Sequence, residues 1–551
     1  MVKAENYKNS DTKALSIVIS SVALTAPTIT NHPQNQTANV GDRVIFGVTA
    51  TGIAPLIYQW QRNSGNGWSN ISGANTAYYS LYVEAIDDGA QFRVVVRNSY
   101  GGVTSNVARL WMGDFIIIRT AEELDEVRKN PGARYKLDND IYLGDYLKSS
   151  AEGWLPIGTQ AAPFKGRFDG SGFVISGLWV ERPSTDNVGL FGVTENAEIK
   201  NLGVEIVGEI KGRRSVGGLV GWQSGSDITK SYATGNVTGT SDVGGIVGWQ
   251  TQSSNITNSY ATGCVRGGSY VGGLVGGQEF FLGGGINTIA NSYATGDVRG
   301  GSYVGGLVGG NYVYQGSGIN AIANSYAAGN VSGTSRVGGL VGYQLNSNIT
   351  NSYATGNVSG TSWVGGLVGH QLNSNITNSY ATGDITGSGV FYVGGLVGSQ
   401  SNSTVANSYA TGDVSGNLYV GGLVGSQSNS SIANSYATGN LTEGSSIYVV
   451  GALVGTQSGG STTNSYRYIN LTLNGTKIPE NERGSEPDGM HGGTVTAGQL
   501  LWRETYSDNG WLFTPSGPWH WDDRDFPKLN IGTENFPFRF DLAVPMISIV
   551  T

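Results

Sequence analysis

Asp384 and Asp413 hold the same place in two near-identical stretches, TGDITG and TGDVSG, 29 residues apart. Two carboxylates side by side on one face could do general acid–base work on a glycosidic bond. The same place is taken by Asn236, Cys264, Asp297, Asn330, Asn357 and Asn440 in neighbouring stretches, each beside a glycine. Tight turns select Asn and Asp for their own sake, so the column reads as turn chemistry rather than catalysis. The densest polar and aromatic cluster is Trp519, His520, Trp521, Asp522, Asp523 and Asp525. It reads as a cap. Cys264 is the only cysteine, which excludes an internal disulfide and a cysteine-based zinc site. His32, His370, His491 and His520 are scattered. No catalytic residue, cofactor or metal is assigned from the sequence.

Binding is the chemistry that the remaining side chains suit. The string VGGLVG recurs, and the residue before it reads Ser215, Asp242, Tyr270, Tyr303, Arg336, Trp363, Tyr392, Tyr419 and Val449. Tyr270, Tyr303, Trp363, Tyr392 and Tyr419, interrupted by Arg336, would form a column of flat rings able to stack on sugars or pack against a protein. A second candidate is a pair of insertions, residues 279–285 (EFFLGGG) and 312–318 (YVYQGSG), at the same point of consecutive repeats. Insertions in repeat proteins map to loops on one face, and long loops carry function. Phe280, Phe281, Leu282, Tyr312, Val313 and Tyr314 are expected to make one apolar ridge there, open to a partner. Both candidates point to a surface glycan or to a protein of a host or neighbouring cell.

These columns exist only because the chain repeats. VGGLVG starts at Val216, Val271, Val304, Val337, Val364, Val393 and Val420, with VGGIVG at Val243, VGALVG at Val450 and a degenerate VGLFG at Val188. A second string, NSYATG, follows each copy. Its tyrosines, from Tyr232 to a degenerate Tyr466, are spaced by 28, 33, 33, 27, 27, 29, 27 and 30 residues. The unit of about 27 residues holds short apolar stretches between Gly, Ser and Asn, not a 3.6-residue apolar face. Each glycine would cost a helix about 1 kcal/mol. One coil of a β-solenoid fits: too small to bury a core alone, stable once stacked at about 4.8 Å per coil. About ten coils are expected. The Val/Leu/Val of VGGLVG, Ile228, Ile256, Ile289, Ile322, Ile349 and Ile376, and Val237, Val265, Val298, Val331, Val358 and Val414 are assigned to the interior. The Gln column from Gln223 to Gln457 and the Asn column from Asn258 to Asn464 are expected to be amide ladders.

VGGLVG with NSYATGNVSGTS at this spacing resembles the GLUG-motif repeats of bacterial surface proteins and adhesins. Residues 115–178, containing IRTAEELDEV, GWLPIG and PFKGRFDGSGFVISGL, resemble the segment that opens such arrays, a short helix and a first β-coil. Residues 510–530, GWLFTPSGPWHWDDRDFPKLN, resemble their closing segment. The resemblance implies a secreted or surface-attached bacterial protein, often in adhesion, and leaves the ligand open. Upstream, residues 27–112 resemble a bacterial immunoglobulin-like domain. Trp60 matches its buried strand-C tryptophan, Val48 and Val94 stand where the inter-sheet cysteines would be, and Phe92 holds the tyrosine-corner position without the hydroxyl. A spacer role follows.

Of 551 residues only 13% are charged and the net charge is −8, which excludes a basic nucleic-acid footprint and charge-driven disorder. No run of about 18 apolar residues is present, so no helical membrane span is expected. The expected organisation is 1–26 as an N-terminal segment or the end of a preceding domain in a longer surface chain, 27–112 as the sandwich, 113–187 as an opening cap, 188–467 as the repeats and 468–551 as a closing cap and tail. The fold class is all-β, a right-handed-type β-solenoid preceded by an immunoglobulin-like β-sandwich. The expected function is a non-catalytic extracellular adhesin or interaction protein. The alternative is a carbohydrate-active β-helix enzyme or a carbohydrate-binding module.

Overall fold

The structure, a computed structural model, describes residues 25–63, 67–112, 115–280, 285–314, 318–389, 391–444, 450–468, 470–479, 489–495, 519–520 and 528–529. The chain divides into two compact units, Met1–Asp114 and Phe115–Thr551.

In the first unit, alternation along Arg43–Gly47 and Gln91–Asn98 sends Val44, Phe46, Phe92, Val94 and Val96 to one side, where all are buried. Gln36–Ala38, Ala108–Met112, Gln91–Asn98, Ile57–Asn63 and Ser69–Asn70 pair in that order, while Arg43–Gly47 pairs with Tyr78–Tyr82. Between them lies Trp60, fully buried, its indole N–H donating to the Thr76 carbonyl at 2.9 Å. Phe46 stacks on Phe92 at 4.6 Å. Val48 and Val94 share this core, so apolar packing stands where a disulfide would be. The unit is an immunoglobulin-like sandwich.

The second unit opens on a short strand, Ile116–Ile118, and a short helix, Ala121–Glu126, whose N-terminus is capped by an exchange of two bonds. Thr120 Oγ1 accepts the Glu123 N–H at 3.2 Å, and Glu123 Oε2 accepts the Arg119 N–H at 2.6 Å. The chain then winds into a solenoid of about 12 turns. That exceeds ten because the opening segment itself coils: Arg134–Leu137, Arg167–Asp169 and Glu198–Lys200 pair in parallel before the first full repeat.

One coil shows the rule. Ser335–Gly338 belongs to one sheet, Val341–Leu345 and Ser347–Thr350 to a second, and Tyr353–Ala354 and Val358–Gly360 to a third. Pairing with the next coil is parallel and in register, as in Val337↔Val364, Val341↔Val368, Ile349↔Ile376, Tyr353↔Tyr380 and Val358↔Ile385. Every sequence column is therefore a physical ladder. The assigned interior columns line one continuous core, with Leu367, Val368, Ile376 and Ile385 each 0–1% exposed. A Cβ at Gly366 would lie 2.0 Å from the Gly395 carbonyl oxygen, so the paired glycines of VGGLVG are required where successive coils press together.

The Asn column is an amide ladder. Asn378 Nδ2 donates to Asn351 Oδ1 at 3.1 Å, and Asn407 and Asn434 repeat the bond. The Gln column differs from its expectation. Gln223, Gln344, Gln371 and Gln427 point inward and donate to the carbonyl three residues on, at 2.7–2.9 Å, with Gln400 to Gln427 the amide–amide bond of the series. A buried corner leaves a carbonyl facing the interior, and the long Gln side chain reaches it. A buried serine column, absent from the sequence reading, serves the opposite corner: Ser352 Oγ accepts the Ser325 N–H at 3.2 Å and donates to the Thr350 carbonyl at 2.7 Å.

Candidate functional site

The Asp384–Asp413 column proves to be a stacking device. Asn357 Oδ1 accepts the Asp384 N–H at 2.9 Å, Asp384 Oδ1 accepts the Asp413 N–H at 3.0 Å, and Asp413 Oδ1 accepts the Asn440 N–H at 2.7 Å. Asn supplies the same oxygen. Asp384→Asn with Asp413→Asn is therefore expected to leave the thermal transition within about 0.5 kcal/mol of the parent. A larger drop would show that the charges themselves hold the coils.

The aromatic column lies at a corner of the rod under an unusual backbone demand. Tyr270, Tyr303, Arg336, Trp363 and Tyr419 have φ of 54°, 59°, 53°, 52° and 51°. At the corner before the Tyr–Ala strands the same conformation recurs, with φ of 49–52° at Asn324, Asn351 and Asn378. Asn tolerates the left-handed region, but for bulky residues it costs roughly 1–2 kcal/mol each. The Tyr–Ala corner uses the cheap residue, whereas this corner uses Ser215 and Asp242 in two coils and a bulky residue at positive φ in five others. Bulky rings held there are a stored strain of the kind that gathers at functional surfaces.

The rings form one unbroken series. Tyr270 stacks on Tyr303 at 4.6 Å, and Trp363 stacks on Phe391 at 5.4 Å. Arg336 bridges rather than interrupts: its guanidinium carbon lies 5.0 Å from the Tyr303 ring and 4.8 Å from the Trp363 ring. Phe391 contacts Tyr392 at 6.4 Å, and Tyr392 contacts Tyr419 at 5.2 Å. A parallel column one strand further on adds Trp222, Trp249, Tyr343 and His370. Tyr343 and His370 pack against each other at 5.2 Å, and His370 lies 6.0 Å from Trp363. The stripe runs six coil steps from Trp249 to Tyr419, about 30 Å at strand spacing.

His370 sits within this packing with its pKa lowered to about 4, first by burial and then by Arg336. An unfolded histidine titrates near 6.5. Between pH 6.5 and 4 the unfolded chain takes up a proton that the folded chain refuses, so stability falls as pH falls through that window and is unaffected above it. His370→Gln is expected to flatten the acid limb of Tm against pH. An unaltered limb would mean that the imidazole is solvated.

Among the described residues of the insertions, most of the expected ridge is buried. Phe280, Tyr312 and Val313 are only 2–4% exposed, while Tyr314 is 51% exposed. Phe281 and Leu282 lie outside the described residues. Val275–Phe280 and Val308–Val313 each run one residue longer than the five-residue strands of regular coils, which turns Phe280 and Val313 inward. Phe280 is then covered by Gly285 and Gly318, whose added Cβ atoms would meet its ring at 2.9 and 2.4 Å. Tyr312 points outward but folds over Gly310 and joins the stripe, 5.6 Å from Tyr270 and 5.3 Å from Tyr343. Burial raises its hydroxyl pKa.

At one end of the stripe is a cleft of about 470 Å³, lined by Asp186, Arg214, Trp222, Asp242, Trp249 and Glu279 among others. Burial is the largest influence on Asp242 and Glu279 and raises the pKa of both. Arg214 Nε lies 3.7 Å from Asp242 Oδ2. Sequence reading missed Trp222, Trp249 and Glu279. Their signal was present, since Trp222, Trp249, Gly277, Gly310, Tyr343 and His370 occupy one column beside the buried Gln. Among the cap residues, Trp519 is 1% exposed and lies 6.1 Å from the Tyr436 ring, whereas Trp521, Asp522, Asp523 and Asp525 lie outside the described residues.

The family described as the GLUG motif matches residues 212–238, 239–265, 333–359, 360–386, 389–415 and 416–442. Those six repeats are GLUG motifs. The two 33-residue units between these GLUG spans carry the insertions. A Gly-rich membrane protein, so named, of Evansella cellulosilytica is 40% identical over 89 residues, 16% of this chain and 10% of that protein. Endoglucanase C of Cellulomonas fimi is 32% identical over 110 residues, 20% of this chain and 10% of that protein. The chain thus spans a tenth of the length of these relatives. Among solved structures, an IgA1 protease matches 80% of this chain and 29% of its own at 12% identity and a TM-score of 0.22. Sidekick-1 immunoglobulin domains 1–5 match 17% of this chain and 21% of theirs at 23% identity and a TM-score of 0.14. No helix among the described residues is long and apolar enough to cross a membrane.

Proposed function

We propose that this chain is the non-catalytic binding rod of a secreted or surface-attached bacterial protein, an adhesin-like module whose aromatic stripe is the surface it presents. The observation that carries this reading is the strained corner: Tyr270, Tyr303, Trp363 and Tyr419 keep large rings at positive φ where the neighbouring corner uses Asn. Stacking alone does not require that placement, since the tyrosines from Tyr232 to Tyr436 stack at 4.7–4.9 Å on extended strands without it. A rigid array with matched rings at one spacing suits an elongated partner, a surface glycan or a protein of a neighbouring cell. One relative bears the name endoglucanase, which puts carbohydrate first.

A second reading, polysaccharide cleavage, has one observation in its favour: Asp242 and Glu279 share a cleft in which burial raises both carboxyls. Arrays of polysaccharides and matrix proteins probed with the whole chain, followed by reducing-end assays on each hit, separate the two. Hits without new reducing ends are expected. New reducing ends that disappear in Glu279→Gln would replace the binding reading with the catalytic one.

A further inference from the structure

Several rings of the stripe have a face covered by a neighbouring ring. Tyr270 and Tyr303 lie against each other at 10° between planes, and Trp363 is flanked by Phe391 at 11° and His370 at 12°. A sugar ring rests on the face of an aromatic ring, with its hydroxyls met by polar groups at the rim. Trp249 differs from the rest. It meets Tyr270 edge-on at 5.5 Å and 79°, and among the described residues no ring stacks parallel on it. Its six-membered ring occupies the space above Gly277, where an added Cβ would lie 1.9 Å from Cζ3. Any other residue at 277 would displace the indole.

Trp249 neighbours Glu279 of the next coil, whose carboxyl pKa it lowers against the larger, raising effect of burial, and one coil earlier Trp222 Nε1 donates to Thr251 Oγ1 at 3.3 Å. The cleft over these indoles, about 470 Å³, falls in the roughly 300–1,000 Å³ range of small-ligand sites. Its rim is polar: Asp186, Asp242, Glu279 and Arg214, with Arg214 near Asp242 and Arg213 bidentate on Asp186 at 2.7–2.8 Å.

We propose that this cleft is a saccharide site for a neutral hexopyranose or pentopyranose chain, with Trp249 as the platform and Asp242, Glu279 and Arg214 binding the ring hydroxyls. This deepens, and rests on, the reading of the solenoid as a binding rod. An acidic sugar would bring a further carboxylate into a cleft already lined by Asp186, Asp242 and Glu279, which favours a neutral sugar. A purely apolar ligand would take the rim carboxyls and Arg214 out of water while offering them no further hydrogen bond. Sugar hydroxyls both donate and accept, which satisfies carboxyl and guanidinium together.

The test is calorimetric titration of the whole chain with cellohexaose, xylohexaose and mannohexaose, with hexagalacturonate as the acidic comparison. At least one neutral hexasaccharide is expected to bind and to quench indole fluorescence, and hexagalacturonate is not. Trp249→Ala and Glu279→Ala, with circular dichroism unchanged, are each expected to weaken binding about tenfold or more. The Asp384→Asn, Asp413→Asn double variant, on another face, is expected to bind as the parent does. No binding of any neutral hexasaccharide at about 5 mM, or full affinity in folded Trp249→Ala, overturns the site. Binding that survives Trp249→Ala but is lost in Tyr303→Asn, Trp363→Asn, Tyr419→Asn overturns the cleft and leaves the rod reading in place.

Discussion

Leu367→Asp is expected to destabilise the solenoid by at least about 3 kcal/mol and to melt the coils on both sides of it. Leu367 is fully buried, between Leu340 and Leu396 of the adjacent coils. Its backbone is committed in both directions: its N–H donates to the Leu396 carbonyl at 2.8 Å, and its carbonyl accepts the Leu340 N–H at 2.9 Å. Shortening a buried Leu costs about 2–5 kcal/mol through the lost apolar contact and the cavity. A carboxylate without a partner adds to that, and it would take up a proton rather than stay charged. Because each coil is stabilised only by its neighbours, the loss spreads along the array. Urea unfolding and hydrogen exchange at the Leu340 and Leu396 amides measure it. Coincident urea curves for variant and parent would remove Leu367 from the core.

The core was legible in the sequence because a solenoid turns sequence period into spatial stacking. Once the spacing of NSYATG was known, Ile349 and Ile376, or Val337 and Val364, had to be neighbours, and they are. The Asn ladder followed from the same rule. The cleft did not, because it depends on a ring from one coil lying over a glycine of the next, Trp249 on Gly277, with Glu279 of that same paired strand beside it. The insertions misled for a related reason. Their aromatic content suggested an exposed ridge, but one extra strand residue reversed the facing of Phe280 and Val313. Arg336 looked like a gap in an aromatic column, although a guanidinium between two rings continues the stack.

The triple variant Tyr303→Asn, Trp363→Asn, Tyr419→Asn is expected to have nearly the stability of the parent and almost none of its binding. Two effects oppose each other at each position. Moving the left-handed conformation from a bulky residue to Asn relieves roughly 1–2 kcal/mol. Losing a ring pair costs about 0.5–1.5 kcal/mol, with some further loss of apolar burial. The sum is close to zero per site. A control on the other aromatic ladder has no strain to relieve: Tyr353 lies on the strand Tyr353–Ala354, is 1% exposed and stacks on Tyr380 at 4.7 Å. Tyr353→Asn is therefore expected to cost about 3 kcal/mol or more, as for other buried aromatic truncations.

The measurement that bears most directly on the stripe as the presented surface is the affinity of this triple variant for the strongest array partner, taken beside its urea midpoint. A midpoint within about 1 kcal/mol of the parent, with affinity down by about tenfold or more, is the expected result. Undiminished affinity together with a midpoint lowered as far as that of Tyr353→Asn would contradict it, and would make the rings of this corner a structural ladder like the tyrosines on the opposite sheet.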